Sequence, residues 1–279
     1  MCTKRIGLFW IALASVVPSV CAGNSIELPF LPGEKLTYSV RVWLGTNQLG
    51  LDVGTAVLSV DKIEINDTDP LQFRLVARGG ALGYRVDSIL TSLINSDTLL
   101  AIRYYENHKG SEKKQRRLEF TENSVTYWKY ARVELADGTK TDDWDWERRR
   151  ENKVDRPSYD MLSALYLARG FDLTAGAKPG TIDVADRKKL WRLSAIGKEP
   201  EKITVQAGTF SVIPVTFTTK PLNEDASKSK FSGLFGMKGS IKIWVDSNTH
   251  RIVRIRGTIP LGIELKVDLS LSEIVSADQ

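Results

Sequence analysis

The residues of this chain best suited to proton transfer are its two histidines, His108 and His250. Both fall in stretches that read as turns. A nucleophilic triad or a zinc site needs several convergent groups on rigid elements. Two separated turn histidines do not supply them, so both are expected to be exposed and without a catalytic role. Ser227 and Lys230 match the spacing S-x-x-K. That motif needs a helix start and partner motifs, and here it lies in a Lys/Ser-rich loop that lacks them. Asp142, Asp143 and Asp145 are the carboxylates nearest to hydrolytic chemistry. Their spacing does not fit the D-x-[DN]-x-[DN]-G calcium loop. With Trp144 and Trp146 among them and Arg148–Arg150 after them, Thr139–Arg156 reads as a solvated connection whose rings pack back on a sheet. Asp160 and Arg169 sit nine residues apart, about 180° around a helix, and do not face each other. No G-x-x-x-x-G-K-[ST] and no strand-linked G-x-G-x-x-G occurs. The sequence therefore assigns no catalytic residue, no metal ligand and no cofactor, and a non-enzymatic protein is expected.

The elements that would position any site are mostly strands. Asp155–Gly170 carries the one long set of helical signals. Asp155 or Ser158 can cap, Pro157 suits the first turn, and Met161, Leu162, Leu165 and Ala168 form one apolar stripe. Arg169 suits the last turn, and Gly170 can end the helix in a left-handed conformation. Around it the pattern is period two. Leu36, Tyr38, Val40, Val42 and Leu44 alternate with polar residues, a turn is expected at Gly45–Gly50, and Ala56, Leu58 and Val60 follow. Asp61–Pro70 reads as a turn-rich connection, Leu71–Arg78 as a strand, and Gly79, Gly80 and Gly83 as a kink. Ile102–Tyr105 and Arg116–Phe120 are expected to pair across the tip Asn107–Gly110, and Ser124–Leu135 to end at Asp137-Gly138. Ile203–Thr219 reads as a hairpin around Gly208. Ile259–Leu271 has an apolar residue at every second position and reads as one strand with a wet and a greasy face. The expected fold is mainly β: a large antiparallel sheet, curved or partly closed as a barrel or sandwich, with one principal helix against it. An outer-membrane barrel fits less well, since evenly repeated strands with aromatic girdles are missing and a helix interrupts the pattern.

The N-terminus reads as an address. Lys4 and Arg5 precede an apolar run, Ile6–Val17, that is too short to span a bilayer. Val20-Cys21-Ala22 fits a signal-peptidase site, with cleavage after Ala22. Residues 1–22 are thus expected to be a signal peptide and 23–279 a single β-rich domain. Pro18-Ser19-Val20 before Cys21 does not fit a lipobox, so a lipoprotein is not expected. Cys2 and Cys21 are the only cysteines, which leaves residues 23–279 with no disulfide or thiolate chemistry. The net charge of +5 falls to +3 without Lys4 and Arg5, too mild a balance to indicate nucleic acid. The basic runs Lys113-Lys114, Arg116-Arg117, Arg148–Arg150 and Arg187-Lys188-Lys189 read as a solvated sheet rim. No segment after the leader is long and apolar enough to be a transmembrane helix.

Five stretches, in this order, resemble the bacterial exported family called domain of unknown function 3108. They are Phe30–Tyr38, Gly50 with the strand after Gly54, Ser158–Tyr166, Val205–Phe210 and Ile241–Val245. Members often carry Arg-x-Pro-Val after the Trp-containing strand; Arg251-Ile252-Val253 lacks the proline. The resemblance implies an exported, sheet-rich domain and carries over no functional residues. The expectation is an exported periplasmic or envelope protein of a Gram-negative bacterium. It would hold an apolar or lipid-like ligand, with Phe231, Leu234, Phe235 and Met237 as a mobile apolar loop over the site. The alternatives are an envelope interaction module working through a sheet edge and, behind it, a hydrolase using Asp142, Asp143 and Asp145.

Overall fold

A computed structural model of the chain describes residues 28–44, 50–65, 69–81, 83–229, 231, 234, 237–260 and 264–276. The expected leader, the expected turn at 45–49, and Lys230 and Phe235 lie outside these. The first eight strands are β1 (Lys35–Leu44), β2 (Leu51–Lys62), β3 (Leu71–Ala81), β4 (Tyr84–Ile94), β5 (Ala101–Lys109), β6 (Lys113–Phe120), β7 (Ser124–Glu134) and β8 (Lys140–Lys153). Helix α1 (Met161–Leu167) follows. Then come β9 (Gly180–Asp186), β10 (Lys189–Gly197), β11 (Glu201–Val205) and β12 (Gly208–Pro221), a short helix α2 (Glu224–Ser227), and β13 (Lys238–Asp246), β14 (Ile252–Pro260) and β15 (Glu264–Val275).

All the strands belong to one antiparallel sheet. Its spatial order is β8 through β1, then β15 through β12, then β10 and β9, with β11 paired beside β12. Each half winds outward from the centre, where the first and last strands pair from Lys35↔Val275 to Leu44↔Leu265. The two outer strands, β8 and β9, are therefore consecutive in sequence, and α1 lies on the chain between them. Among the described residues the ladder does not close; side chains bring the ends together instead. Helix α1 touches β3 and β4 on one side and β9 on the other. Asn152 of β8 donates to the Lys188 carbonyl at 3.3 Å and accepts from Asn223 at 3.0 Å, and Arg150 lies 3.6 Å from Asp225. The sheet is thus rolled, with its inner face forming the core.

Helix α1 is held at both ends by buried polar groups. Asp160 is its N-cap: Oδ1 accepts from the Leu162 and Ser163 amides, and Ser92 of β4 donates to Oδ2 at 2.6 Å. Burial raises the Asp160 carboxyl above its ordinary value despite these hydrogen bonds. Past the other end, Arg169 donates to Glu34 through Nη2 at 3.1 Å, and Arg251 donates to the same carboxylate at 2.9 Å. The Arg169 and Glu34 side chains are 2% and 3% exposed. His250 donates from Nδ1 to the Arg169 carbonyl at 2.6 Å. Between these anchors Tyr166 stacks on Phe73 of β3 at 4.4 Å and meets Phe30 edge-on at 5.6 Å. Leu162 and Leu165 are buried with them.

The structure corrects several sequence expectations. The helix starts at Met161 and not near Asp155, because Tyr159 is extended and bonds by its backbone to Asp183 and Ala185 of β9. Strand pairing overrides the capping chances of Asp155 and Ser158. Gly170 does not take a left-handed conformation; the helix tightens into a 3-10 turn at Ala168–Gly170 and leaves through an extended Phe171. Thr139–Arg156 is mainly strand β8, whose charges on both faces hide the alternation, a common property of edge strands. Its Trp146 does pack back, 5.4 Å from Tyr130, with Arg117 4.7 Å from its ring. Ile259–Leu271 is two strands, paired through Ile259↔Leu265 and Pro260↔Glu264. Cross-strand partners six residues apart share parity, so the alternation passes through a reversal unbroken. The Gly79–Gly83 kink is the β3–β4 hairpin, turning at Gly83 with φ +78°.

Two stability predictions follow from these buried ions. Replacing Arg169 by Met strands a buried carboxylate on one partner, and a loss of about 3–5 kcal/mol is expected from urea midpoints. A loss below about 1 kcal/mol would remove the pair from its anchoring role. On the other face, Asp268 receives hydrogen bonds from Arg254 at 2.9 Å and from Arg256 at 2.8 Å. Burial alone would raise this carboxyl, but the two guanidinium groups overcome it and hold it below the usual 3.8. Its contribution is therefore present above that value and lost as the pH falls through the folded one. Asp268→Asn should cost about 1–3 kcal/mol at pH 7, and unfolding curves at pH 3 should show a smaller gap from wild type. An equal gap at both pH values would show that the charge is not what matters.

Candidate functional site

Strands β3 and β4 run out from under the helix. Phe73 and Ser92 lie against α1. Farther along, Leu75–Ala81 and Tyr84–Ser88 leave it behind and line an unfilled trough of about 340 Å3 on the inner face. Its other walls include Val40 and Val42 of β1, Ala56 of β2, and Val267 and Leu269 of β15. Small residues keep the floor open. Gly54 and Gly79 are directly paired, and a Cβ on either would come within 2.1 Å of a carbonyl oxygen on the other strand. Only glycine permits that approach. Beside them the β1–β2 register slips between Val40 and Arg41, a bulge of the kind that bends a sheet.

The trough has a polar end built from β4, β5 and β6. Ser88 is paired across the ladder with His108, and His108 with Lys114. Ser88 Oγ lies 2.8 Å from His108 Nδ1, and His108 Nε2 lies 3.2 Å from Glu106 Oε2. Arg116 Nη1 stands 3.6 Å from the same carboxylate. Arg85 pairs with Asp87 at 3.3 Å, and Lys114 pairs with Glu112, whose carboxyl that hydrogen bond holds below its usual range. Burial, with the Glu106 charge beside it, raises the neighbouring Tyr104 phenol well above its ordinary value. An apolar groove ending in a few convergent polar groups is the usual form of a small-molecule site.

A second cavity, of about 160 Å3, lies between α1 and strands β9, β10, β12 and β13, with Met161, Leu165, Phe217 and Ile243 among its walls. The apolar segment singled out from sequence runs between the two spaces. Phe231 and Leu234 line the smaller cavity, and Met237 lines the trough. Leu234 is 5% and Met237 2% exposed, so these two side chains are tucked inward. Phe231 packs on Trp191 at 5.4 Å. Met237 lies over Gly257, where an added Cβ would meet its sulfur at 2.8 Å. The polar start of the segment folds as α2, capped by Asn223.

The other candidates do not converge. Asp142, Asp143 and Asp145 are exposed along β8. The Ser227 hydroxyl donates to the Glu224 carbonyl. His250 does sit in a turn, with φ +53°, but it is half-buried against Arg169. His108 corrects the expectation most: it belongs to β5, not to a turn, and its ring is hydrogen-bonded on both nitrogens. Strand β5 extends through Lys109, so Tyr104, Glu106 and His108 share one face. That alternation was the available signal for Glu106 and His108 sharing a face, and reading Asn107–Gly110 as a tip obscured it. The basic runs are largely ion-paired, as Arg148–Glu151, Arg149–Glu147 and Lys188–Asp225 show. Among the described residues no group of three or more His, Cys, Asp or Glu is placed to hold a metal, and no helix is long and apolar enough to cross a membrane.

No curated protein matches the chain. Among solved structures, a protein from Parabacteroides distasonis described as a lipoprotein is 12% identical, over 89% of this chain and 98% of its own, with a TM-score of 0.32. A protein from Bacteroides fragilis described as exported, with a YmcC-like fold, is 9% identical over the same shares, also at 0.32. A likeness of that degree says nothing further of this chain. A family model described as "Protein of unknown function (DUF3108)" matches residues 37–270. That span runs from β1 into β15 and takes in both cavities, and the chain belongs to this family.

Proposed function

We propose that this is an exported protein of the bacterial envelope, residing in the periplasm, that holds an apolar or lipid-like ligand in the trough between β1–β4 and β14–β15. One observation carries the reading: the inner face of the sheet is filled by α1 at one end and left as an apolar trough of about 340 Å3 at the other. An apolar surface of that shape gains free energy when a ligand displaces its water, at roughly 25 cal/mol per Å2. The polar end suits a headgroup. The N-terminal leader pattern, Lys4-Arg5 followed by Ile6–Val17 and Val20-Cys21-Ala22, supports the address. This reading needs no bond to be broken. A second reading, an interaction module, draws on the β8 edge: fourteen residues with no further strand beside them in the sheet, and an exposed Trp144. Crosslinking in cells that captured one partner through β8 would favour it.

The binding reading is tested by native mass spectrometry and lipid extraction of protein purified from its own envelope. A co-purifying amphiphile is expected. Ala77→Phe, which fills the trough floor, should reduce its occupancy about tenfold or more while the unfolding midpoint changes little. Wild-type protein that carries nothing, and that binds no fluorescent fatty acid at micromolar concentration, would rule the reading out.

A further inference from the structure

We propose that the polar end of the trough is an ester-cleaving centre, with Ser88 as nucleophile and His108 as its general base. Three side chains from two adjacent strands make the case. The Glu106 carboxylate, which is salt-bridged to Arg116, can only accept hydrogen bonds. In the neutral ring, its contact with His108 Nε2 at 3.2 Å puts the one ring proton on Nε2. Nδ1 is then left with a free lone pair, 2.8 Å from Ser88 Oγ, and the serine hydroxyl must be the donor. That is the protonation pattern of an activated serine: hydroxyl to neutral imidazole, imidazole N–H to carboxylate. Cross-strand pairing fixes the geometry, because Ser88 and His108 are direct neighbours in the ladder and Glu106 lies two residues along the same face. Ser88 and His108 both line the trough, so the hydroxyl stands where the apolar wall gives way to charge.

The chemistry follows. Ser88 Oγ attacks an ester carbonyl carbon as its proton passes to His108 Nδ1. The resulting oxyanion meets Lys114, the ladder neighbour of His108 on the same face and a lining residue of the same end. Collapse breaks the carbon–oxygen bond to the alcohol, which leaves with the proton from Nδ1 and leaves an acyl group on Ser88. Water then attacks the acyl carbon, gives its proton to Nδ1, and the second collapse returns that proton to Ser88 and frees the carboxylic acid. The substrate class is an ester whose acyl chain lies in the trough. Glu106 is a positioning residue, holding the Nε2–H tautomer. Only the choice of substrate rests on the binding reading; the nucleophile does not.

Purified full-length protein is treated with a small fluorophosphonate and, separately, with p-nitrophenyl acetate and butyrate. A single adduct mapping to Ser88 is expected, absent in Ser88→Ala and slowed about 100-fold or more in His108→Ala. Glu106→Gln should lower kcat at unchanged KM, with partial recovery in Glu106→Asp, a split that a purely structural role would not produce. Circular dichroism confirms that each variant is folded. An unlabelled Ser88 in folded wild-type protein, or labelling that His108→Ala leaves unchanged, overturns the proposal. Fluorescent fatty-acid binding by wild type is measured in parallel. Binding without labelling removes the nucleophile and leaves the trough; labelling without binding removes the trough and leaves the nucleophile.

Discussion

Glu34 is one carboxylate shared by two guanidinium groups, Arg169 after the helix and Arg251 at the β13–β14 turn. It joins three parts of the chain more than eighty residues apart from one another. Among the described residues the ladder of the fifteen-strand sheet stays open. Bulges bend it, and side-chain contacts between its parts hold the roll, those buried deepest having the largest consequences if broken. Asp160 does the same at the other end of α1, through Ser92. The helix spans seven residues, too short to persist in water by propensity alone. It exists because the sheet holds its two ends.

That arrangement also decides where the empty space falls. Side chains from α1 cover Phe73 of the roll, where Tyr166, Phe73 and Phe30 pack ring on ring. The helix ends before it reaches the half of β3 and β4 beyond Leu75. In that half the sheet carries Gly54, Ala56, Ala77 and Gly79, too small to meet anything across the roll. A packed end and an open end thus lie along the same strands, and the difference between them is side-chain volume together with the length of one helix.

Much of this architecture was legible in the sequence. Period-two alternation identified β1, β2, β7 and the β11–β12 hairpin, and Gly208 marked the turn of the latter. What was lost had physical causes. The helix was drawn too long because Asp155, Pro157 and Ser158 are good starting residues locally, while the bonds that keep Tyr159 extended come from β9, far along the chain. Strand β8 was missed because solvent on both faces of an edge strand leaves no alternation to see. Arg169 was placed at the end of the helix, but that its partner is Glu34 was not legible, since a pairing across 135 residues has no local signature. The same holds for the site. His108 was placed in a turn because Asn107 and Gly110 flank it; the alternation that puts it on one face with Glu106 was legible, while its ladder partner Ser88 is set by the pairing of β4 with β5.

Phe231, Leu234 and Met237 border the two spaces. Leu234 faces the smaller cavity and Met237 the trough, three residues apart. Met237 is backed by Gly257, whose missing side chain leaves room for the thioether. A flexible thioether adapts its shape at little cost, which suits Met237 to an irregular stretch of the trough wall. The backbone amide of Met237 is bonded to the Leu234 carbonyl, which makes the two side chains parts of one turn. The smaller cavity, on the Leu234 side of that turn, lies beside α1, whose own ends are fixed by Asp160 and Arg169. One short stretch of chain thus borders both spaces, and side-chain volume at Leu234 and Met237 sets part of the wall of each.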